Sequence, residues 1–152
     1  MERSLILLKP DAVGRRLVGK IITRIEEKGL WFIALKVLQP TQAVLDQHYN
    51  EHKERPFFKD LCSFMSSSPV VAGVVEGPGC VDLIRAMLGK TKVTEAVPGT
   101  IRGDYSLSTQ QNLMHASDSP ASAEREIPIW FLADELVTYR PCDGPWVHES
   151  IK

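Results

Sequence analysis

The sequence predicts an α/β (α+β) fold in which a split βαβ pattern builds a four-stranded antiparallel sheet covered by helices. Three observations predict it. Apolar runs of strand length recur at 4–9, 30–38, 70–77 and around 113–116. Amphipathic helical patterns fill the intervals, and Gly or Pro stands at the joints. The first run, SLILLK, reads as a buried strand stopped by Pro10.

VGKIITRIEEKG follows, with Val18, Ile21, Ile22 and Ile25 on one helical face and Gly29 placed to end the helix. LWFIALKVL is the second strand, closed by Gln39 and Pro40. Thr41 suits the N-cap of a helix reaching Tyr49, and a further helix runs from Pro56 towards Met65. VVAGVVEG is a third buried strand, and GPG turns it into the helix CVDLIRAMLG. Some twenty residues of weak periodicity come next, including VPGTIRGD at 97–104, read as a functional loop. A short last strand precedes a helix with Ser119 as N-cap and Pro120 at its first position. This order is ferredoxin-like, with extra helices between the second and third strands.

The 152 residues fit one domain, and 43% apolar with 24% charged residues is the balance of a globular protein. A net charge of −1 gives no global field for nucleic acid or an anionic membrane, so phosphate recognition has to come from a few converging cations. Cys62, Cys80 and Cys142 form neither a CxxC pair nor a metal-ligand spacing, which suggests a reduced, cytoplasmic chain. LILL is too short for a signal peptide or a membrane span.

Two short motifs mislead. GRRLVGKI has phosphate-loop spacing, but Ile21 stands where Ser or Thr must bind magnesium, and Val18 and Ile21 belong to an apolar helix face. HYNEH matches an inverted zinc-protease motif in which His48 and His52 would share a helix face, with Glu124 or Glu126 as a third ligand. That reading leaves the rest of the chain unexplained.

NLMHASDS carries more. Alternation on a strand sends His115 and Ser117 to one side, and the following helix bears Glu124 and Glu126. A histidine nucleophile needs one tautomer, which a carboxylate on its far nitrogen enforces and a serine hydroxyl can steady. A serine-hydrolase reading is weaker, because no G-x-S-x-G elbow exists. Lys9 at a strand end, Arg85 beside an apolar helix face and Arg102 within PGTIRGD together make a polyphosphate clamp, although any one alone could be a snorkelling side chain.

The segments LLKPDAV, HYNEHKERPFF, PGTIRGD, NLMHASDS and SAEREI resemble, in order and spacing, those of the nucleoside diphosphate kinase family, from about residue 3 to 135. The resemblance implies that His115 is the nucleophile, phosphorylated on the ring nitrogen nearer the backbone, with Glu126 on the other nitrogen and Ser117 behind it. It places Lys9 and Tyr49 at the γ-phosphate, Lys9 also near the ribose 3′-hydroxyl, and Asn112 on the ribose hydroxyls. Arg85, Thr91 and Arg102 would hold the β-phosphate with His52 close by, and Phe57 would stack on the base. Stacking tolerates every base, so broad nucleotide specificity follows. Mg²⁺ would be carried by the phosphates of ATP and other nucleoside tri- and diphosphates, with Asp118 and His52 nearby.

The alternative is a catalytically silent nucleotide-binding scaffold, against which the whole site set argues. A nucleic-acid role has no support from charge. The resemblance further implies a homohexamer, or a tetramer, in a single 1–152 domain whose 136–152 extension packs at a subunit contact. Trp146 in that tail should be buried on a neighbour or on its own subunit. The chain departs from the family at Thr109, Gln110 and Gln111 near the base, and at Val93, where many members carry a proline tied to subunit contacts. It departs again at Pro128, which should end its helix early while sparing Glu126.

Overall fold

The computed structural model of the chain describes residues 1–149, so the last three residues of the tail lie outside the described residues. Strands β1 (Glu2–Leu8), β2 (Trp31–Leu38), β3 (Val70–Gly77) and β4 (Met114–Ala116) form one sheet in the order β2-β3-β1-β4. Every pairing is antiparallel. Helices α1 (Pro10–Gly14), α2 (Val18–Glu27), α3 (Gln42–His48), α4 (Phe58–Ser66), α5 (Cys80–Leu88), α6 (Ile101–Tyr105), α7 (Pro120–Trp130) and α8 (Gly144–Val147) surround it. Among the described residues no helix is long and apolar enough to cross a membrane.

The central strand β1 reads as continuous apolar sequence because helices cover both of its faces. Leu5 and Leu7 point into a core shared with Leu45, Met65, Ile127 and Trp130. Ile6 and Leu8 point the other way, onto Ile21, Ile25, Ile84 and Leu88. Each such fully buried Leu or Ile contributes about 2 kcal/mol. The edge strand β2 alternates instead, leaving Leu35 and Val37 exposed.

Several local rules act as the sequence suggests. Gly29, at φ +93, takes the left-handed turn after α2 that a side chain resists. Thr41 and Ser119 cap α3 and α7 by accepting from Val44 N and Ser122 N.

Pro10 ends β1 as read and is also the first residue of α1, a position where its missing N–H costs nothing. Two readings need correction. The 97–104 segment is only half loop. Thr100 caps α6 by accepting from Gly103 N at 3.0 Å, while its hydroxyl donates to Val97 O at 2.7 Å. Gly103 is glycine because a Cβ there would collide with the Val97 carbonyl.

Pro128 does not end α7, which runs on to Trp130. The missing amide frees the carbonyl of exposed Glu124, which water can reach. Burial of Ile127, Trp130 and Phe131 at about 2 kcal/mol each outweighs the roughly 3 kcal/mol of an interior proline.

The tail returns along β2. Val137 N donates to Ile33 O at 2.9 Å, and the Tyr139 hydroxyl donates to Phe32 O at 2.9 Å. Trp146 is 92% exposed, so it does not pack on its own subunit.

Candidate active site

β4 is the short edge strand that presents His115 opposite Leu7 of β1. The ladder continues past both ends of β4, through Ser117 N to Leu5 O at 3.0 Å and Lys9 N to Leu113 O at 2.8 Å. Leu113 holds φ +77, a strained backbone for leucine, and its N–H donates to Asp11 Oδ2 at 3.0 Å. The turn into the strand is thereby fixed from α1.

His115 Nε2 lies 2.8 Å from Glu126 Oε2. The other carboxylate oxygen, Oε1, accepts from Ser117 Oγ at 2.7 Å. Burial favours the neutral form of Glu126, but the hydrogen bond and charge of His115 and the Ser117 hydroxyl outweigh it and hold the carboxyl below its usual range. An ionised carboxylate only accepts, so His115 carries its proton on Nε2 and leaves Nδ1 with a free lone pair. Glu124 is exposed and lines a separate groove with Met1, Arg3 and Pro128, so of the two carboxylates on α7 only Glu126 reaches the histidine.

The zinc-protease geometry does not form. α3 ends at His48, and His52 follows in the 3₁₀ turn Asn50–His52, so the two rings do not share a helix face. His48 is instead drawn inward, its ring edge-on to His115 with centroids 4.7 Å apart. His48, His115 and Glu126 bring their ligand atoms within 4.8 Å of one another. His52 lies between Tyr49 and Phe57, at centroid distances of 6.4 and 5.3 Å. Tyr49 is buried, which pushes its hydroxyl pKa up, while Phe57 is half exposed. Asp118 accepts from Ser122 Oγ at 2.5 Å on the rim of the His115 cleft.

The cations collect just before β4. Lys9 Nζ donates to Asn112 Oδ1 at 2.7 Å. Arg102 is buried, and its guanidinium donates to Gly89 O at 3.1 Å, Thr91 Oγ1 at 3.4 Å and Met114 O at 3.0 Å. It also reaches the Asn112 backbone and side-chain oxygens at 3.3 and 3.4 Å. Arg102 thus ties the loop after α5 to the start of β4, a scaffolding role that sequence spacing does not reveal. The guanidinium of Arg85, half-buried on α5, has no hydrogen bond among the described residues. Positive charge and burial dominate this group: burial and then Arg85 lower the Arg102 pKa to about 10, and burial and then Arg102 lower Lys9 to about 8, with Asp11 pulling the other way.

A pH dependence follows. Lys9 titrates at about 8 in the folded chain against 10.5 when unfolded, so the unfolded chain binds the extra proton between those values. Stability of the ligand-free protein therefore climbs across that window. A reaction that needs the Lys9 ammonium does the reverse: kcat/KM falls as pH rises through about 8. Lys9→Arg shifts that alkaline limb upward in a pH–rate profile.

The chain is similar in sequence and fold to known proteins. A family model described as nucleoside diphosphate kinase matches residues 2–136. A nucleoside diphosphate kinase of Methanothermobacter thermautotrophicus is 50% identical over 150 residues, covering 99% of this chain and 100% of the relative. Among solved structures, a halophilic nucleoside diphosphate kinase of Halobacterium salinarum in complex with CDP superimposes with a TM-score of 0.95 at 42% identity, over 97% of this chain and 99% of the other. A nucleoside diphosphate kinase family protein of Babesia bovis superimposes with a TM-score of 0.94 at 46% identity, over 97% of this chain and 100% of the other.

Proposed function

The chain belongs to the nucleoside diphosphate kinase family of phosphotransferases, and from that premise we propose that His115 shuttles the γ-phosphoryl group of a nucleoside triphosphate to a nucleoside diphosphate. The carrying observation is the 2.8 Å contact of His115 Nε2 with ionised Glu126, which leaves Nδ1 as the only nucleophilic nitrogen. Nδ1 attacks the γ-phosphorus of ATP or another triphosphate. An N–P bond forms, the bond to the β-phosphate oxygen breaks, and the diphosphate leaves with the electron pair. The ring keeps its Nε2 proton, and Glu126 balances the charge that the ring acquires.

A second diphosphate then takes the group from Nδ1 by the reverse displacement, which gives ping-pong kinetics. Phosphohistidine suits this role because donor and acceptor are both phosphoanhydrides, whereas a serine ester would trap the group. The relative solved with CDP supports a diphosphate as acceptor. Lys9 and Tyr49 meet the γ-phosphate, Arg85, Thr91 and Arg102 hold the β-phosphate with His52 close by, Asn112 meets the ribose, and half-exposed Phe57 offers a face to the base.

Mg²⁺ fits as a companion of the nucleotide: exposed Asp118 lies on the cleft rim, and the groups before β4 are cationic. Carried in with the nucleotide and with Asp118 and His52 nearby, the ion would neutralise charge that develops on the phosphates. The assembly in this reading is a homohexamer, with the 136–152 segment at a subunit contact. Exposed Leu35, Val37, Leu132 and Trp146 support it, since isolated chains rarely leave so many large apolar side chains in water. Cytoplasmic residence is supported by free Cys62, Cys80 and Cys142.

Incubation with γ-radiolabelled ATP and Mg²⁺ tests the chemistry. The expected product is a base-stable, acid-labile phosphoprotein that gives its label to GDP as GTP. Nucleotide binding with no transferable label would reduce the site to a binding pocket.

A further inference from the structure

His48 and Trp130 surround the reacting histidine, yet no step above uses them. Both are buried, His48 closing α3 and Trp130 closing α7. Trp130 Nε1 lies 3.1 Å from His48 Nδ1. An indole N–H can only donate, so Nδ1 of His48 accepts and the proton of the neutral ring sits on Nε2. That nitrogen faces Glu126 Oε2 at 3.9 Å, beyond a hydrogen bond but within electrostatic reach. The same oxygen accepts from His115 at 2.8 Å.

We propose that His48 and Trp130 are positioning residues for the His115 reaction: Trp130 locks His48 as the neutral Nε2–H tautomer, and that polar edge keeps Glu126 aimed at His115. The inference rests on the phosphohistidine reading of the site. A protonated His48 would compete for the carboxylate and release His115 from the tautomer that frees Nδ1. It would also set a second cation beside the ring that becomes positively charged on taking up phosphate. The edge-on packing at 4.7 Å further limits rotation of the His115 ring.

His115 faces His48 from β4, Glu126 and Arg125 from α7, and His52 from the adjoining turn, while Tyr49 packs edge-on at 4.6 Å. Burial and then His115 push the His48 pKa down, Glu126 pulls it up, and the result is about 3. The tautomer also argues against a metal at this trio. Nε2 of His48 and Nε2 of His115 both carry protons, and binding an ion through His48 would take the acceptor away from Trp130.

The test uses the full-length chain labelled with ¹⁵N-histidine. Long-range proton–nitrogen spectra should show His48 protonated on Nε2 alone and not titrating between about pH 5 and 8. Trp130→Phe and His48→Leu should each slow single-turnover phosphorylation of His115 about tenfold, with nucleotide affinity unchanged. Trp130→Phe should also move the acid limb of that rate upward, and His48→Gln, which restores an N–H towards Glu126, should recover much of the loss.

A wild-type His48 that titrates in that range or carries its proton on Nδ1 overturns the proposal, as does Trp130→Phe with an unaltered rate and acid limb. Should His48→Leu not fold, the wild-type spectrum and the Trp130→Phe profile still decide. A wild-type protein with the expected tautomer but no phosphate on His115 would sink the kinase chemistry instead, so the two failures are distinct.

Discussion

His115→Ala is expected to fold as the wild type does and to lose triphosphate synthesis by about 10⁴-fold or more. The β1–β4 ladder that holds residue 115 is made by backbone groups, so alanine keeps the strand. What disappears is the nitrogen proposed to take the phosphoryl group, together with one hydrogen bond to Glu126. The carboxylate keeps Ser117, so the stability cost should stay within about 1–3 kcal/mol.

The loss has a pH signature. A carboxyl held below its usual range stabilises the fold above its unfolded pKa, and that contribution fades as pH falls through the folded value. Without His115 the depression of Glu126 is weaker, so the loss begins at higher pH. Steady-state assays, nucleotide-binding calorimetry and acid unfolding of the two chains check the three parts. Residual turnover above about one-hundredth of wild type would mean that another group accepts the phosphate.

Arg102→Ala is expected to damage activity and fold together. Five contacts to Gly89, Thr91, Asn112 and Met114 vanish; the Asn112 oxygens keep Met114 N and Lys9 Nζ as donors, but Met114 O at the start of β4 loses the guanidinium. Each orphaned buried acceptor costs about 1–3 kcal/mol. Part of this is offset, because removing a cation that Arg85 repels relieves strain in the ligand-free chain. A net loss of about 3 kcal/mol and a fall in kcat/KM of about 10²-fold or more are the expected results. Arg102→Lys separates the two effects. Lysine keeps the charge but not the planar fork, so it should recover more nucleotide affinity than thermal stability. Denaturant melts and kinetics on both variants provide the comparison.

The strands and capped helices were legible because local chemistry and tertiary demand agree there. Thr41 and Ser119 cap as their side chains dictate, and β1 is apolar throughout because both its faces are covered. Prolines were harder. Pro10 stops a strand and starts a helix with the same fixed φ, and only packing shows which matters more. Pro128 breaks a local rule that the burial of Ile127, Trp130 and Phe131 overrides.

Within the site, strand alternation puts His115 and Ser117 on one side, but choosing Glu126 over Glu124 needs the angle at which α7 crosses the sheet. His48 carried a misleading signal: a His pair four apart suggests a chelate, and the chain ends its helix between the two. Trp130 carried none, since an indole at a helix end reads as core until its N–H is seen to have a partner.

Lys9, Arg85 and Arg102 share a region with too little negative charge of its own. The folded chain therefore has a standing affinity for polyanions that the unfolded chain lacks, and mass action turns that difference into durability. A ligand present at about a hundred times its dissociation constant adds about 2.7 kcal/mol to the folded state. The protein is thus least durable when nucleotide is scarce, and the pool whose composition it balances also acts as its thermal protectant.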